Sequence, residues 1–403
     1  MFLNIKIILA YVGAVGIVLG ALFILASMGA MLMQDPSSAS VSATASTALL
    51  EEDVQPHMAE VTGVSSYTTD DPPSAENPFI PLVSVSSVIE AEAPVTPPPS
   101  SSRESVSTDD RITRIQNPYP FPPHSIEAIN EDARAALVNI LCSANTESVR
   151  PITASGVFID SRGVILTNAH VAQYVLLSQD EQLSLNCIVR HGAPASAEWS
   201  VEILYIPPVW VEENAKDVAT RRPTGTGEHD YALLRITGTL DGSSPPASFP
   251  VLPPDVREGI GFLDDPVLIA SYPAEFLQGS TQLNLYPVSS VTTIQELLTF
   301  GRGAVDLISV GGVAGAQAGS SGGAVVNPWG RLVGLITTTS EGATTAERDL
   351  RALTISYIER DIKAQTGLGF AEYLSGDLAA RAAEFNAHEA PRLVQLLIDQ
   401  LSQ

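Results

Sequence analysis

Three short segments of this 403-residue chain carry side chains that together could perform nucleophilic chemistry. TNAHV surrounds His170, DYALL begins at Asp230, and GSSGG surrounds Ser321. A serine hydroxyl is a poor nucleophile at neutral pH, so it needs an imidazole to accept its proton and a buried carboxylate to orient that imidazole. The developing oxyanion needs N–H donors, and the amides of Gly319 and Ser321 are the candidates.

Each segment lies beside a short run of apolar residues that is typical of a β-strand. Residues 164–166 precede the histidine segment, Asp230 begins a run of its own, and residues 324–326 follow the serine segment. Similar runs recur through the chain, separated by Gly, Pro, Asn and Asp, and no alternation of strands with helices is visible. This pattern predicts a mainly β protein, either a sandwich or a barrel.

Each motif alone has an ordinary structural explanation, and GSSGG also fits the esterase pattern G-x-S-x-G. An α/β-hydrolase requires an Asp and a His after the nucleophile, and the only histidine after Ser321 is His388, in an Ala-rich segment that reads as a helix. Strand-like runs rather than a helix follow the serine. The order His, Asp, Ser therefore favours a β protein, in which the aspartate carboxylate orients the histidine, over an α/β-hydrolase esterase.

The motifs resemble those of one family. Four segments resemble parts of the trypsin-like (chymotrypsin-fold) serine proteases. The histidine, aspartate and serine motifs are similar to GVILTNAHV at residues 163–171, DYALL at 230–234 and AGSSGGA at 318–324. The strand pair that follows the serine motif is similar to GRLVGLI at 330–336. The bacterial HtrA/Deg and glutamyl-endopeptidase type is the most similar. The resemblance covers about residues 135–364, and the segment after it is too short for a PDZ domain.

This resemblance implies two antiparallel six-stranded β-barrels, with the active site in the cleft between them. Ser321 would be the nucleophile, His170 the general base and acid, and Asp230 the residue that orients the imidazole. The amides of Gly319 and Ser321 would form the oxyanion hole. The implied reaction is hydrolysis of peptide bonds in peptide or protein substrates, and it uses neither a cofactor nor a metal.

The same resemblance indicates which residues would line the primary substrate pocket: Gly315, Ala316, Ile336, Thr337 and Thr338. These are small, apolar or neutral side chains. We therefore expect a preference for substrates with a small or aliphatic residue before the cleaved bond. The alternative is a substrate residue with a polar side chain, which the threonines would bind.

The chain has two cysteines, Cys142 and Cys187, which both fall in the first predicted barrel. If this part of the chain lies outside the cytoplasm, a disulfide between them is expected, and the alternative is a pair of buried free thiols. Two cysteines exclude a disulfide-dense scaffold and a four-cysteine zinc site. The net charge of −24 argues against nucleic-acid binding, because such a surface repels phosphates.

Residues 7–33 contain no charged side chain and are long enough to span a bilayer as a helix. Lys6 precedes this stretch and acidic residues follow it, so the positive-inside rule places the remainder of the chain outside the cytoplasm. We predict a transmembrane anchor over residues 1–33 and a single-pass protein in the cell membrane. A cleaved signal peptide and a secreted protein are the alternative. Gly16 and Gly20 form a GxxxG pair compatible with a homo-oligomer.

Three further regions follow the predicted anchor. Residues 34–115 are rich in Ser, Thr, Pro and acidic residues, which predicts a disordered linker. Residues 116–365 form the predicted protease domain, and residues 366–403 a helical extension in which Asp377 is the expected N-cap of a helix. The prediction is a membrane-anchored serine endopeptidase. The alternative of another class is a catalytically inactive, protease-like module that binds peptides or envelope partners.

Overall fold

The computed structural model describes residues 114–115, 117–144, 149–220, 225–274, 285–301, 303–313, 318–339 and 348–402. The predicted anchor lies outside these residues, and so does the predicted linker apart from residues 114 and 115. Across the described ranges, no helix combines the length and the apolar character that crossing a bilayer requires.

Six antiparallel strands close into a barrel in the first half of the described chain. They are β1 (Leu137–Ala144), β2 (Ile152–Asp160), β3 (Val164–Thr167), β4 (Leu185–His191), β5 (Ser196–Tyr205) and β6 (Ala232–Thr239). Their order around the barrel is β1-β2-β3-β6-β5-β4. Closure leaves no unpaired strand edge, and the prediction of a six-stranded barrel here is confirmed.

Aromatic side chains and a disulfide hold this barrel together. Phe158 packs against Phe249 and Trp199, with ring centroids 4.7 and 5.6 Å apart. Cys142 on β1 lies directly opposite Cys187 on β4, and the structure joins the two through a disulfide. The barrel closes where β4 pairs with β1, and the disulfide joins these two strands.

The second half forms a curled antiparallel sheet of seven strands. They are β7 (Pro266–Ser271), β8 (Val288–Thr293), β9 (Glu296–Leu298), β10 (Leu307–Ser309), β11 (Ala324–Val326), β12 (Leu332–Thr339) and β13 (Leu350–Thr354). Their order is β8-β7-β11-β12-β13-β10-β9. The expected second six-stranded barrel is replaced, within the described ranges, by this sheet.

The difference arises at residues 294 and 295, between β8 and β9. β8 and β9 lie at opposite ends of the strand order although only these two residues separate them, so the sheet curls until one continuous segment bridges its edges. The Ile294 amide donates to the Asp265 carbonyl, and the Gln295 amide donates to the Ser309 carbonyl. These bonds divide what would be one long strand into two.

Two helices flank the first barrel. The helix α1 (Ile126–Ala136) begins at Ser125, whose hydroxyl accepts from the Ala128 amide. The chain turns from α1 directly into β1 at Leu137, where a run of mostly buried apolar residues favours a strand. The helix α2 (Ala169–Leu177) follows β3 after Asn168, and most of its residues are buried.

The remaining helices pack on the outside of the first barrel or connect it to the second sheet. They are α3 (Pro208–Asn214), α4 (Ile355–Thr366), α5 (Phe370–Tyr373), α6 (Leu378–His388) and α7 (Ala390–Leu401). Asp377 caps α6 as predicted, because its carboxylate accepts from the Ala379 and Ala380 amides. The last helix contacts both α2 and α3, and α6 lies against β5. The helical extension thus supports the helix that contains His170.

Candidate active site

The pairing of β3 with β6 brings His170 and Asp230 together. Thr167 at the end of β3 is paired with Ala232 at the start of β6. Asp230 precedes that pair by two residues and His170 follows it by three, so both leave the barrel at the same end. The Asn168 side-chain amide donates to the Asp230 carbonyl over 2.9 Å and holds the two segments in this register.

Both carboxylate oxygens of Asp230 bind the same residue. Oδ2 lies 2.8 Å from His170 Nδ1, and Oδ1 accepts from the His170 backbone amide over 2.9 Å. The carboxylate therefore selects the tautomer with the proton on Nδ1 and leaves Nε2 unprotonated, which is the form that can accept a proton. The Asp230 side chain is 6% exposed and the His170 side chain is 30% exposed, so the imidazole is the accessible partner.

The electrostatics of this pair favour the charged forms of both groups. Burial lowers the pKa of His170, but the charge of Asp230 and the hydrogen bond to it outweigh burial and leave this pKa raised. Burial raises the pKa of Asp230, but the His170 charge, the bonds from His170 and the Thr337 hydroxyl together leave that pKa lowered. The carboxylate is therefore ionised at neutral pH and stabilises an imidazolium.

A residue of the second sheet completes the surroundings of Asp230. The Thr337 hydroxyl, on β12, donates to Asp230 Oδ2 over 2.6 Å and is buried. Thr337 was predicted to line the substrate pocket, whereas its hydroxyl is hydrogen-bonded to the Asp230 carboxylate. Ile336 beside it is also buried, so it lies against the core of the second sheet.

The serine turn, residues 319–323, is held in part by Ser155, a buried residue of β2 that no sequence motif indicated. The Ser155 amide donates to the Ser321 carbonyl over 2.8 Å. Its hydroxyl donates to the Gly319 carbonyl over 2.8 Å and accepts from the Tyr272 amide over 2.9 Å. Its carbonyl accepts from the Thr167 hydroxyl over 2.8 Å. A small polar residue within a buried apolar strand was the signal available in the sequence.

The glycines of GSSGG are required by close contacts. Gly322 has φ +82°, and a Cβ there would lie 2.0 Å from the Ser155 carbonyl oxygen and 2.5 Å from the Thr167 hydroxyl. Gly319 has φ +94°, and a Cβ there would lie 2.8 Å from the Tyr272 carbonyl oxygen. The serine turn therefore packs directly on the strand that leads into His170.

The amides predicted to bind an oxyanion are available for that purpose. Neither the Gly319 nor the Ser321 amide donates a hydrogen bond to any part of the chain that the structure describes. The peptide group between them is anchored, since its carbonyl, that of Gly319, accepts from the Ser155 hydroxyl. Two unsatisfied donors on either side of a fixed peptide group are the arrangement that an oxyanion site needs.

Other predicted site residues stand apart from this description. Gly315 and Ala316 lie outside the described residues, and so does the side chain of Thr338. Within the ranges that the structure covers, no cluster of three or more His, Cys, Asp or Glu side chains could hold a metal ion. The described residues provide an oriented imidazole, a buried carboxylate and two unsatisfied backbone amides in the turn that contains Ser321.

Comparison with known proteins found a matching family model and matching solved structures. Residues 154–335 match the family model described as a trypsin-like peptidase domain, and this range contains His170, Asp230 and Ser321. The crystal structure of a serine endoprotease from Yersinia pestis aligns with 61% of this chain and 68% of that chain, at 20% identity and a TM-score of 0.37. The chain matches no curated protein.

Proposed function

We propose, from the premise that residues 154–335 belong to the trypsin-like peptidase family, that this protein hydrolyses peptide bonds through an acyl-enzyme on Ser321. Membership of this family implies that the protein is a serine endopeptidase, an enzyme that hydrolyses peptide bonds. The observation that carries the assignment of residues is the contact of 2.8 Å between His170 Nδ1 and Asp230 Oδ2, next to the docked serine turn.

In the first step, Ser321 Oγ attacks the carbonyl carbon of the peptide bond while His170 Nε2 accepts the hydroxyl proton. The imidazolium that forms is stabilised by Asp230, whose carboxylate is already hydrogen-bonded to Nδ1. The imidazolium then donates its proton to the leaving amine, and the acyl-enzyme remains. In the second step a water replaces the amine, and His170 activates it in the same way.

The negative charge that develops on the carbonyl oxygen would be bound by the amides of Gly319 and Ser321. Donors that are already oriented stabilise the tetrahedral intermediate without reorganisation, and losing one of them costs about 10²–10³-fold in rate. The anchored peptide group between them supports this role.

We further propose that residues 1–33 hold the protein in a membrane and that the peptidase lies outside the cytoplasm. The uncharged stretch at residues 7–33 supports the anchor. The disulfide between Cys142 and Cys187 supports an oxidising compartment, because such bonds are rare in the cytosol. The substrates would then be peptides or proteins of that compartment.

Covalent labelling tests the proposed reaction. The full-length protein in detergent is treated with a fluorophosphonate probe, which reacts with activated serines, and Ser321→Ala and Ser161→Ala are treated in parallel. We expect labelling of the unchanged protein and of Ser161→Ala, where the substituted serine is exposed, but none of Ser321→Ala. A folded, unchanged protein that does not react would contradict the proposal and favour a peptide-binding module.

A further inference from the structure

A second histidine–carboxylate pair lies immediately beside the first. His229 directly precedes Asp230, and its Nδ1 lies 2.8 Å from Oδ1 of Asp361 on α4. The side chains are 20% and 9% exposed, so this ion pair is largely shielded from water. Neither residue has a part in the reaction steps proposed above, and no sequence motif indicated them.

The backbone of His229 is held as firmly as its side chain. Its φ is +57°, in the left-handed region that is uncommon for residues other than glycine, although Asn, Asp and His adopt it more often than the rest. The His229 amide donates to the Tyr357 hydroxyl over 2.9 Å, and the Gln365 side chain donates to Asp361 Oδ2 over 2.6 Å. One helix therefore grips the residue before Asp230 at two points.

That helix is rooted in the second sheet. The helix α4 follows β13 without a break, and Ile355, Ile358 and Ile362 on it are buried. Arg360 forms an ion pair with Asp306, which precedes β10. Asp230 itself belongs to the segment that enters β6 of the first barrel. The grip on His229 consequently connects the two halves of the molecule at the carboxylate of the active site.

We propose that His229 and Asp361 are positioning residues that hold Asp230 in register with His170. This inference rests on the proposed function, in which Asp230 orients the imidazole. Without the side-chain bond, the backbone at residue 229 would no longer be fixed in the left-handed conformation, and the adjoining residue would be free to rotate with it. Asp230 Oδ2 would then move away from His170 Nδ1, and the charge that favours the imidazolium would act less strongly.

The charges around His229 keep this pair intact over the working pH range. The groups that face it are Glu228 from its own segment, Glu213 from α3, and Asp361 and Tyr357 from α4. Burial lowers the pKa of His229, but the bond to Asp361 and the acidic groups outweigh burial and leave it raised. Nδ1 donates to Asp361 in both the neutral and the cationic form, so titration of His229 does not break the contact.

Three substitutions in the full-length protein separate the contributions. His229→Gly permits the left-handed backbone but removes the donor. His229→Asn permits that backbone and places an N–H near the position of Nδ1. Tyr357→Phe removes only the hydroxyl that accepts from the His229 amide. His388→Gly, at an exposed position near the end of α6, is the matched control for loss of a histidine.

We expect His229→Gly to lower kcat about tenfold with little change in KM, since the substrate is bound but the imidazole is misoriented. Tyr357→Phe should lower kcat less, while His229→Asn and His388→Gly should stay within about twofold of the unchanged protein. Active sites are counted by fluorophosphonate burst, and folding is checked by thermal unfolding. A merely structural role would reduce the number of active sites and leave kcat per site unaltered.

A measurement that does not depend on turnover separates this inference from the proposed function. The pKa of His170 is followed by NMR titration of its imidazole resonances. In His229→Gly it should fall toward its ordinary value, because Asp230 raises it in the intact protein. An unaltered His170 titration in a folded His229→Gly variant would overturn the positioning role, whether or not the protein hydrolyses peptides.

Discussion

The Asp230 carboxylate makes three hydrogen bonds, and two of them are to His170. Oδ1 binds the His170 amide, and Oδ2 binds both Nδ1 and the Thr337 hydroxyl. A carboxylate held at three points cannot rotate away from the imidazole, so the orientation of His170 is set before substrate arrives. No free energy is then needed to reorient His170 during the reaction, because folding has already fixed its orientation.

The pH dependence of activity follows from this pair. His170 must be neutral to accept the Ser321 proton, and Asp230 raises its pKa above the ordinary value of about 6.5. We expect kcat/KM to be full at higher pH and to fall as pH decreases through that raised pKa. Measurement from about pH 4 to pH 9 tests this, and a rate that is constant down to about pH 4 would exclude His170 as the base.

The matched variant is Asp230→Asn, which keeps the shape of the side chain but loses its charge and permits the wrong tautomer. We expect kcat to fall about 10⁴-fold. The remaining activity should lose kcat/KM at a lower pH than the unchanged protein does, since the charge that raised the pKa of His170 is gone. A loss at the same pH as in the unchanged protein would mean that another group sets the pKa.

Among the elements, β2 and β12 each hold the serine turn through two hydrogen bonds, from Ser155 and Ile336 respectively. Ser155 makes bonds to the turn, to Tyr272 and to Thr167, and so links both sheets at one residue. The disulfide between β1 and β4 and the closed order of the barrel keep β2 in place. The proposed oxyanion site therefore depends on a strand of the first barrel, and not on the serine turn alone.

Ser155→Ala tests this dependence. The Gly319 carbonyl and the Tyr272 amide would each lose a partner, and the peptide group between the two oxyanion donors would be free to rotate. We expect kcat to fall about 10- to 100-fold with KM little altered, because the lost interaction acts on the transition state. Steady-state kinetics normalised by active-site titration check this, with Ser161→Ala as the exposed control. Equal losses in kcat for both variants would contradict it.

At the scale of the whole molecule, the helical extension is part of the fold of the first barrel. Leu393 and Leu397 on α7 are fully buried, and α7 contacts α2, the helix that contains His170. Asn386 on α6 donates to the Ile203 carbonyl of β5 over 2.9 Å, and Arg392 pairs with Glu212 over 2.6 Å. The extension therefore packs against the first barrel and against the helix that contains His170.

Leu397→Ala should therefore destabilise the protein without altering its chemistry. Removing a fully buried leucine side chain costs about 2–5 kcal/mol in the free energy of unfolding. Denaturant unfolding measures this, and Gln395→Ala, on the exposed face of the same helix, is the control. We expect kcat per active site to stay unchanged in both variants. A stability equal to that of the control would mean that the extension is dispensable for folding.

Much of the site could be predicted from the chain alone because its chemistry depends on local patterns. The residue types around His170, Asp230 and Ser321, with glycines where φ is positive and a strand beside each motif, restrict the chemistry to few classes. The strand-like runs predicted a mainly β protein, and the resemblance to trypsin-like proteases implied the six-stranded barrel that the first half forms. The helices of the extension and the Asp377 cap follow from helical patterns.

Only the tertiary structure decided which side chains surround that site, because those contacts join residues far apart in the chain. Thr337 lies 107 residues from Asp230, Ser155 lies 164 residues from Gly319, and Asp361 meets His229 from another element. A local pattern can mark Ser155 as a small polar residue in an apolar strand, but it cannot show which residues the hydroxyl contacts. The break between β8 and β9 likewise depends on backbone bonds to distant residues. The sequence determined the candidate reacting groups, and packing between the two sheets determined how they are held.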